Sequence, residues 1–237
     1  MKRFYLTQEQ FNMQIIDGDE FNHIKNVMRM NKGDDFIAFI GNEKDYICQI
    51  GDIKKDSLRF TILEETKNEK NPTIQIDIFQ SLCKGEKLEL IAQKTTEIGI
   101  SNFIPLYIKN CDVKPNTTKL NRLEKIIISA CKQCGRSNIP NISQIININE
   151  CLDLLKQYDV VLFANETEED ERIYDTLNKH SQARKIAIII GPEGGFTPEE
   201  ITKLKEVSTS VSLGRRILRT ETAGIYLCSI INDFYRN

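Results

Sequence analysis

The sequence predicts an α/β protein: a parallel sheet covered by helices on both faces, preceded by a small β-barrel carrying one helix. Three observations lead there. From Thr73 onward, short apolar runs alternate with helical periodicities, the pattern of strands joined by helical crossovers. One of those runs, Ile186-Ala-Ile-Ile-Ile190, is apolar at every position, as a strand buried on both faces must be. Over the first ~70 residues the period is two instead. Tyr46, Cys48 and Ile50 alternate with Ile47 and Gln49, and Leu58, Phe60 and Ile62 alternate with Arg59 and Thr61.

Taken in order, the first helical pattern lies between Asp19 and Met30, with Phe21, Ile24, Val27 and Met28 on one face. The polar stretch Glu64 to Pro72 ends in proline and marks a domain boundary, giving domains 1–70 and 73–237. Ile74, Ile76 and Ile78 then form a strand, followed by a helix from Gly85 to Ile98 whose apolar positions include Leu88, Ile91 and Ile98. A strand at Phe103–Ile108 leads to a long helix at Leu120–Cys134, with Leu120, Leu123, Ile127, Ala130 and Cys134 on one stripe. Strands at Val160–Ala164, Ile186–Ile190 and Val211–Leu213 alternate with helices at Arg172–His180, Pro198–Val207 and Thr222–Phe234.

Composition narrows the function classes. With 237 residues, 40% hydrophobic and 28% charged, the chain is long and apolar enough for a core that needs neither disulfides nor metals. Lys and Arg total 32 against 34 Asp and Glu, a net charge of -2, which argues against a wholly basic nucleic-acid coat or a polybasic membrane binder. The run Ala223 to Ile231 is nine residues long, and a membrane span needs roughly 20. No apolar run follows Lys2 and Arg3, so no secretory signal is expected. Seven scattered cysteines, an odd number, predict reduced thiols and a cytoplasmic location.

Four segments bear on chemistry. The first is Gly191-Pro-Glu-Gly-Gly-Phe-Thr-Pro-Glu-Glu200, between a buried strand and a helix, where ligands of α/β sheets bind. Thr197 at the N-cap, Pro198 at the first helical position and Glu200 completing a capping box explain a well-made turn. Gly194, Gly195 and a Glu193 expected to be buried exceed what a turn requires. The loop lacks both the dinucleotide and the P-loop glycine spacings, which counts against NAD and ATP.

The second segment, Leu213-Gly-Arg-Arg-Ile-Leu-Arg-Thr-Glu-Thr-Ala223, again joins a short strand to a helix. Thr220 or Thr222 could cap that helix and Glu221 suits its first turn, while Arg215, Arg216 and Arg219 suit phosphate or a base carbonyl. Two such loops at neighbouring strand ends would face one pocket. The third segment, Lys109 to Arg136, holds seven basic side chains (Lys109, Lys114, Lys119, Arg122, Lys125, Lys132, Arg136) against Asp112 and Glu124. It reads either as a solvated face or as a hold on a phosphate backbone.

The fourth, Cys131-Lys-Gln-Cys134, is a lone pair late in a helix. It lacks the second pair of a zinc site and the placement of a redox motif, so it reads as two small core-facing residues. With only His23 and His180 present, neither a metal site nor a Ser-His-Asp triad is expected.

The two C-terminal loops, IIGPEGGFTPEEI and SLGRRILRTETAG, resemble those of the bacterial 16S ribosomal RNA uracil-N3 methyltransferases, the RsmE family of the SPOUT superfamily. Further agreement comes from His23-Ile-Lys-Asn-Val-Met-Arg29 with Lys32-Gly-Asp34, from Lys84-Gly-Glu-Lys87 with Gln93-Lys-Thr-Thr-Glu-Ile-Gly99, and from Cys134-Gly-Arg136. The match covers nearly the whole chain, in order. The sequence departs from the family in having no Trp, where an aromatic residue is common near Leu123, and in Arg215, where a small or proline-like residue is expected. Neither departure touches the glycines or the RTET core.

The resemblance implies a SPOUT domain whose C-terminal segment forms a deep trefoil knot, an N-terminal PUA-like RNA-binding barrel, a homodimer, and S-adenosyl-L-methionine as cofactor. It places the cofactor against Ile190, Gly191, Glu193, Gly194, Leu213, Gly214, Leu218, Thr220, Thr222 and Ala223. The implied reaction is methylation of N3 of a specific uracil in 16S rRNA of the 30S subunit. Glu221 is then the candidate base or a hydrogen-bonding positioner, and Arg219 the group that stabilises the imidate oxygens or holds a phosphate. An ion pair between those two is the structural alternative. Arg29, Lys84, Arg122 and Arg136 are candidate RNA contacts, each also explicable as solvated surface. Another SPOUT enzyme acting on ribose or transfer RNA, and a non-enzymatic ribosome-assembly factor, are the competing readings.

Overall fold

The computed structural model describes residues 1–116 and 118–235; the Lys119 side chain, counted in the basic segment above, lies outside the described residues. The chain divides into two compact units, residues 1–71 with 128–139, and residues 72–127 with 140–237.

In the first unit, strand β1 (Lys2–Tyr5) is followed by helix α1 (Gln8–Met13), β2 (Ile15–Asp17), α2 (Gly18–Asn22) and a π-helical turn (His23–Val27). Three further strands complete it: β3 (Asp35–Phe39), β4 (Lys44–Ile53) and β5 (Ser57–Lys67). The sheet order is β1-β3-β4-β5-β2, with β1 parallel to β3 and the other pairs antiparallel. The period of two does what it predicts: Tyr46, Cys48, Ile50, Leu58 and Phe60 turn into a core with Phe4, Leu6, Ile16 and Phe36. Helix α1, which the hydrophobic pattern left out, is set by a capping box in which Thr7 and Gln10 satisfy each other's backbone N–H groups.

Phe21 and Ile24 are buried as expected, but Val27 is 67% exposed. The cause is the π-helical turn, closed by Met28 N–H donating to the His23 carbonyl at 2.9 Å. A turn bonded five residues apart carries Val27 off the face that helical spacing assigned to it.

The last turn of the long central helix and the loop after it join this unit through a polar cluster. Arg3 donates to Asp45 at 2.7 and 2.9 Å, Asn68 donates to Asp45 at 3.0 Å, and the Ser137 hydroxyl donates to Asp45. Asn68 also reaches the Gly135 carbonyl at 2.8 Å, and the backbone N–H groups of Ser137 and Asn138 both donate to Asn71. Arg136 is only 2% exposed, with Nη2 donating to Asn138 at 2.8 Å. Its expected place on an RNA-facing surface is therefore wrong: its guanidinium sits inside this cluster.

The second unit is built on a sheet whose strand pairs, among the described residues, are all parallel. Its elements are β6 (Gln75–Ser81), α3 (Lys87–Ile98), β7 (Asn102–Tyr107), α4 (Thr118–Cys134, whose last residues belong to the first unit), β8 (Asn141–Ile142), β9 (Ile146–Asn147), α5 (Ile148–Leu155), β10 (Val160–Ala164), α6 (Ile173–Lys179), β11 (Lys185–Ile190), α7 (Pro198–Lys205), β12 (Thr209–Val211) and α8 (Thr220–Tyr235). Strand order is β12-β10-β11-β6-β7-β8, with β9 also on β7. All five residues from Ile186 to Ile190 are buried, as a central strand requires. Helix α8 begins two residues before the expected Thr222 and packs on α3, β6 and β11. No helix among the described residues is long and apolar enough to cross a membrane.

Burial pushes the Asp45 carboxyl up, but the hydrogen bonds from Arg3, Ser137 and Asn68 outweigh it and hold the group below its ordinary value. The stabilisation is full above the unfolded-state value of about 3.9 and drains away as pH falls through the lower folded value. Asp45→Ala leaves the largely buried Arg3 without its anion and is expected to destabilise the first unit by about 3 kcal/mol. Urea unfolding at pH 7 measures the loss, and the gap between wild type and variant should narrow in acid.

Candidate functional site

Three loops at the carboxyl ends of parallel strands enclose a cavity of about 400 Å³. They follow β10 (residues 164–168), β11 (190–196) and β12 (212–220). The two glycine-bearing loops do share one pocket, but their strands are not neighbours: β10 lies between β11 and β12. The loop after β10, with Glu166 and Glu168, therefore forms the middle of the wall. Lys87 of α3 and Ala223 of α8 also line the cavity.

The loop after β11 is shaped as its sequence demands. Thr197, Pro198 and Glu200 form the expected capping box, with Glu200 Oε2 accepting from Thr197 N–H at 2.8 Å. Glu200 is the buried acid at 6% exposure, and its other oxygen accepts from Lys109 N–H at 3.1 Å. Glu193, expected to be buried, keeps 26% of its side-chain surface and sits at the rim, accepting from Lys87 Nζ at 2.8 Å and Lys84 N–H at 3.2 Å. Partial burial raises the Glu193 carboxyl, but the Lys87 hydrogen bond and the backbone donors outweigh it and hold the group below its ordinary value.

Gly195, at φ +65°, lines the cavity, and a Cβ there would both strain the backbone and approach Glu166 Oε1 at 3.5 Å. Gly194 does not line it: its Cα packs on Asn110, where a Cβ would meet backbone oxygen at 3.2 Å. Asn110 in turn donates to the carbonyls of Gly194 and Gly195 at 3.0 and 3.2 Å, fixing the loop.

A single hydroxyl ties the second loop to the first. Thr220 Oγ1 donates to the Gly191 carbonyl at 2.7 Å and accepts from Gln80 Nε2 at 3.0 Å. Of the two threonines that could have capped this helix, Thr220 commits its hydroxyl to these bonds instead; the Arg219 carbonyl accepts the first helical bond, from Ala223 N–H at 2.8 Å. Gly224 lets α8 come this close, since a Cβ there would stand 3.1 Å from Gln80 Oε1. Thr222 faces away from the cavity and is exposed.

Ile190, Gly191, Glu193, Leu213, Gly214, Leu218, Arg219, Thr220 and Ala223 all line the cavity; Gly194, Thr222 and Glu221 do not. The Arg219–Glu221 ion pair that adjacency allowed is not formed among the described residues. Glu221 turns to Lys87 instead, its Oε2 3.9 Å from Nζ. Elsewhere in the second unit Lys84 pairs with Asp112 at 2.7 Å and Arg122 with Glu89 at 2.8 Å, both cations remaining well exposed. Arg29 is exposed in the first unit, at φ +53°. Lys87 and the β10 loop were missed by sequence reasoning. The signal for that loop was its place at a strand end; its carboxylates lie in an acidic stretch, Glu166–Glu171, that gives no sign of a cavity.

Cys131 is buried and Cys134 half-buried; burial pushes the Cys131 thiol up to about 12. Among the described residues no group of three or more His, Cys, Asp or Glu side chains is placed to hold a metal ion.

This geometry has close relatives. A family model described as an RNA methyltransferase domain matches residues 69–232, and one described as an RNA methyltransferase PUA domain matches residues 16–63. The chain is 33% identical to the ribosomal RNA small subunit methyltransferase E of Bacillus subtilis, covering 98% of this chain and 96% of that one. It is also 33% identical to the protein of the same name from Mesomycoplasma hyopneumoniae, covering 96% of this chain and 97% of the relative. Among solved structures, a ribosomal RNA small subunit methyltransferase E from Neisseria gonorrhoeae bound to S-adenosyl methionine superposes with a TM-score of 0.87 at 28% identity, covering 99% of this chain and 98% of that one. A Legionella pneumophila methyltransferase in complex with the bound cofactor SAM gives 0.88 at 29% identity over 98% and 96% of the two chains. With a parallel sheet, a cavity at its strand ends and relatives matched over nearly their full length, the chain belongs to the RNA methyltransferase family that includes the ribosomal RNA small subunit methyltransferases E.

Proposed function

We propose that this protein methylates N3 of a specific uracil in 16S rRNA of the small ribosomal subunit, with S-adenosyl-L-methionine as methyl source. The observation that carries the reading is the cavity itself, closed by the two glycine loops in a chain of this family. Its volume of about 400 Å³ lies in the range of small-molecule sites. Its residues fit the cofactor: apolar Ile190, Leu213 and Leu218 suit an adenine, and the Gly191, Gly195 and Gly214 backbones allow close approach. Glu166 and Glu193 complement a positively charged ligand.

When bound, the cofactor supplies an electrophilic methyl carbon with its leaving group built in. The chain's residues then have three tasks: alignment, removal of the N3 proton, and stabilisation of the imidate charge. The Thr220–Gly191–Gln80 clasp serves the first by locking two walls together. Glu221 is the candidate base, and Arg219, cavity-lining and exposed, meets a uracil oxygen or its phosphate. Arg29, Lys84 and Arg122 are the proposed RNA contacts. The same reading includes a trefoil knot in residues 73–237, a PUA-like RNA-binding barrel in residues 1–70, a homodimer and a cytoplasmic location.

The deciding experiment is tritiated methyl transfer to unmethylated 30S subunits and to naked 16S RNA, followed by primer extension. A stop at one uracil, stronger on 30S subunits, is expected; methylation that leaves reverse transcription free points to ribose instead. Thr220→Val keeps the shape and removes both hydroxyl bonds. It should cost about 1–3 kcal/mol of stability and weaken S-adenosylhomocysteine binding measured by calorimetry. Glu221→Gln should lower the methylation rate by on the order of 10²-fold with cofactor affinity unchanged; an undiminished rate across pH removes Glu221 as the base.

A further inference from the structure

Lys87 sits at the start of α3 and, among the described residues, is the one lysine that lines the cavity. Its ammonium is shared by two carboxylates from different elements. Glu193 Oε1, from the loop after β11, accepts from it at 2.8 Å, and Glu221 Oε2, from α8, lies 3.9 Å away. That Glu221 oxygen is buried and has no hydrogen-bond partner among the described residues. A buried carboxylate oxygen without a donor is unfavourable unless a nearby charge compensates it. Lys87 is the charge at hand, and the Glu193 and Glu221 carboxylates together raise its affinity for the proton, against the opposing effect of burial.

Resting on the reading of the cavity as a uracil-N3 methylation site, we propose that Lys87 is a catalytic residue: its ammonium, steadied by Glu193 and Glu221, stabilises the negative charge that develops on a uracil ring oxygen as N3 is deprotonated. The N3–H bond breaks and its proton passes to the Glu221 carboxylate, then to solvent. The electron pair left on N3 forms the bond to the methyl carbon. The carbon–sulfur bond breaks with its pair returning to sulfur, which ends as a neutral thioether. Throughout, Lys87 keeps its proton. A cation already fixed in place by two carboxylates needs no reorganisation when charge develops beside it.

The test is single-turnover methylation of 30S subunits, at saturating cofactor, by wild type, Lys87→Gln and Lys87→Arg, with S-adenosylhomocysteine affinity and melting temperature measured on each. Lys87→Gln should lose about 10²–10³-fold in rate, the scale for removing one such donor, with cofactor affinity within a few-fold of wild type. Lys87→Arg keeps the charge and should recover part of the rate. The sharper arm uses subunits whose target uracil is 5-fluorouracil, whose N3–H is intrinsically more acidic. That substitution should rescue Lys87→Gln by more than it speeds the wild type. An equal response of both proteins, or a rate loss matched by a parallel loss of cofactor affinity or folding, overturns the role. If the wild type binds S-adenosylhomocysteine yet leaves no primer-extension stop, the uracil-N3 reading falls first and this proposal with it.

Discussion

The hydroxyl of Thr220 holds the site together. It stands where the last helix begins, receives a hydrogen bond from the wholly buried Gln80 at the end of β6, and passes one to the Gly191 carbonyl at the end of β11. Two cavity walls and the end of a distant strand thereby share one fixed point. The close approach of α8 depends on Gly224, whose missing Cβ leaves room for the Gln80 amide. Helix propensity alone would favour alanine at that position by about 1 kcal/mol. The glycine is explained by packing against the sheet, and its consequence is an ordered loop around the cavity.

Charge is arranged with the same economy. A net charge of -2 argues against nonspecific affinity for nucleic acid, and several basic side chains of the 109–136 segment are already engaged. Arg122 pairs with Glu89, Lys132 with Glu20, and Arg136 is buried. Further positive charge lies on the loop after β12, where Arg215, Arg216 and Arg219 are exposed around an Ile217 that is 79% exposed.

What was legible in the sequence followed from local physics. The capping box at Thr197, the alternation in β4 and β5, and the all-apolar β11 each state their structure within a few residues. The misreadings came from choices made at longer range. Thr220 and Thr222 both look like helix caps, but the tertiary demand of Gln80 and Gly191 recruits Thr220 into the bridge. Val27 obeys helical spacing until a π turn displaces it. Arg136 looks like surface because it is charged, yet a polar cluster assembled from three separate stretches of chain encloses it. Lys87 gave no local sign of its place, since nothing near it in sequence specifies Glu193 or Glu221 as neighbours.

That cluster also fixes an order of events during synthesis. Asp45, Arg3 and Asn68 all lie within the first 71 residues to be translated, but the Ser137 hydroxyl and the Gly135 carbonyl arrive only after another 60 or so residues. Until then the anchoring sites at Asp45, Asn68 and Asn71 are solvated. The first unit to leave the ribosome is therefore not assembled from one continuous stretch: its last piece, residues 128–139, follows a stretch that belongs to the second.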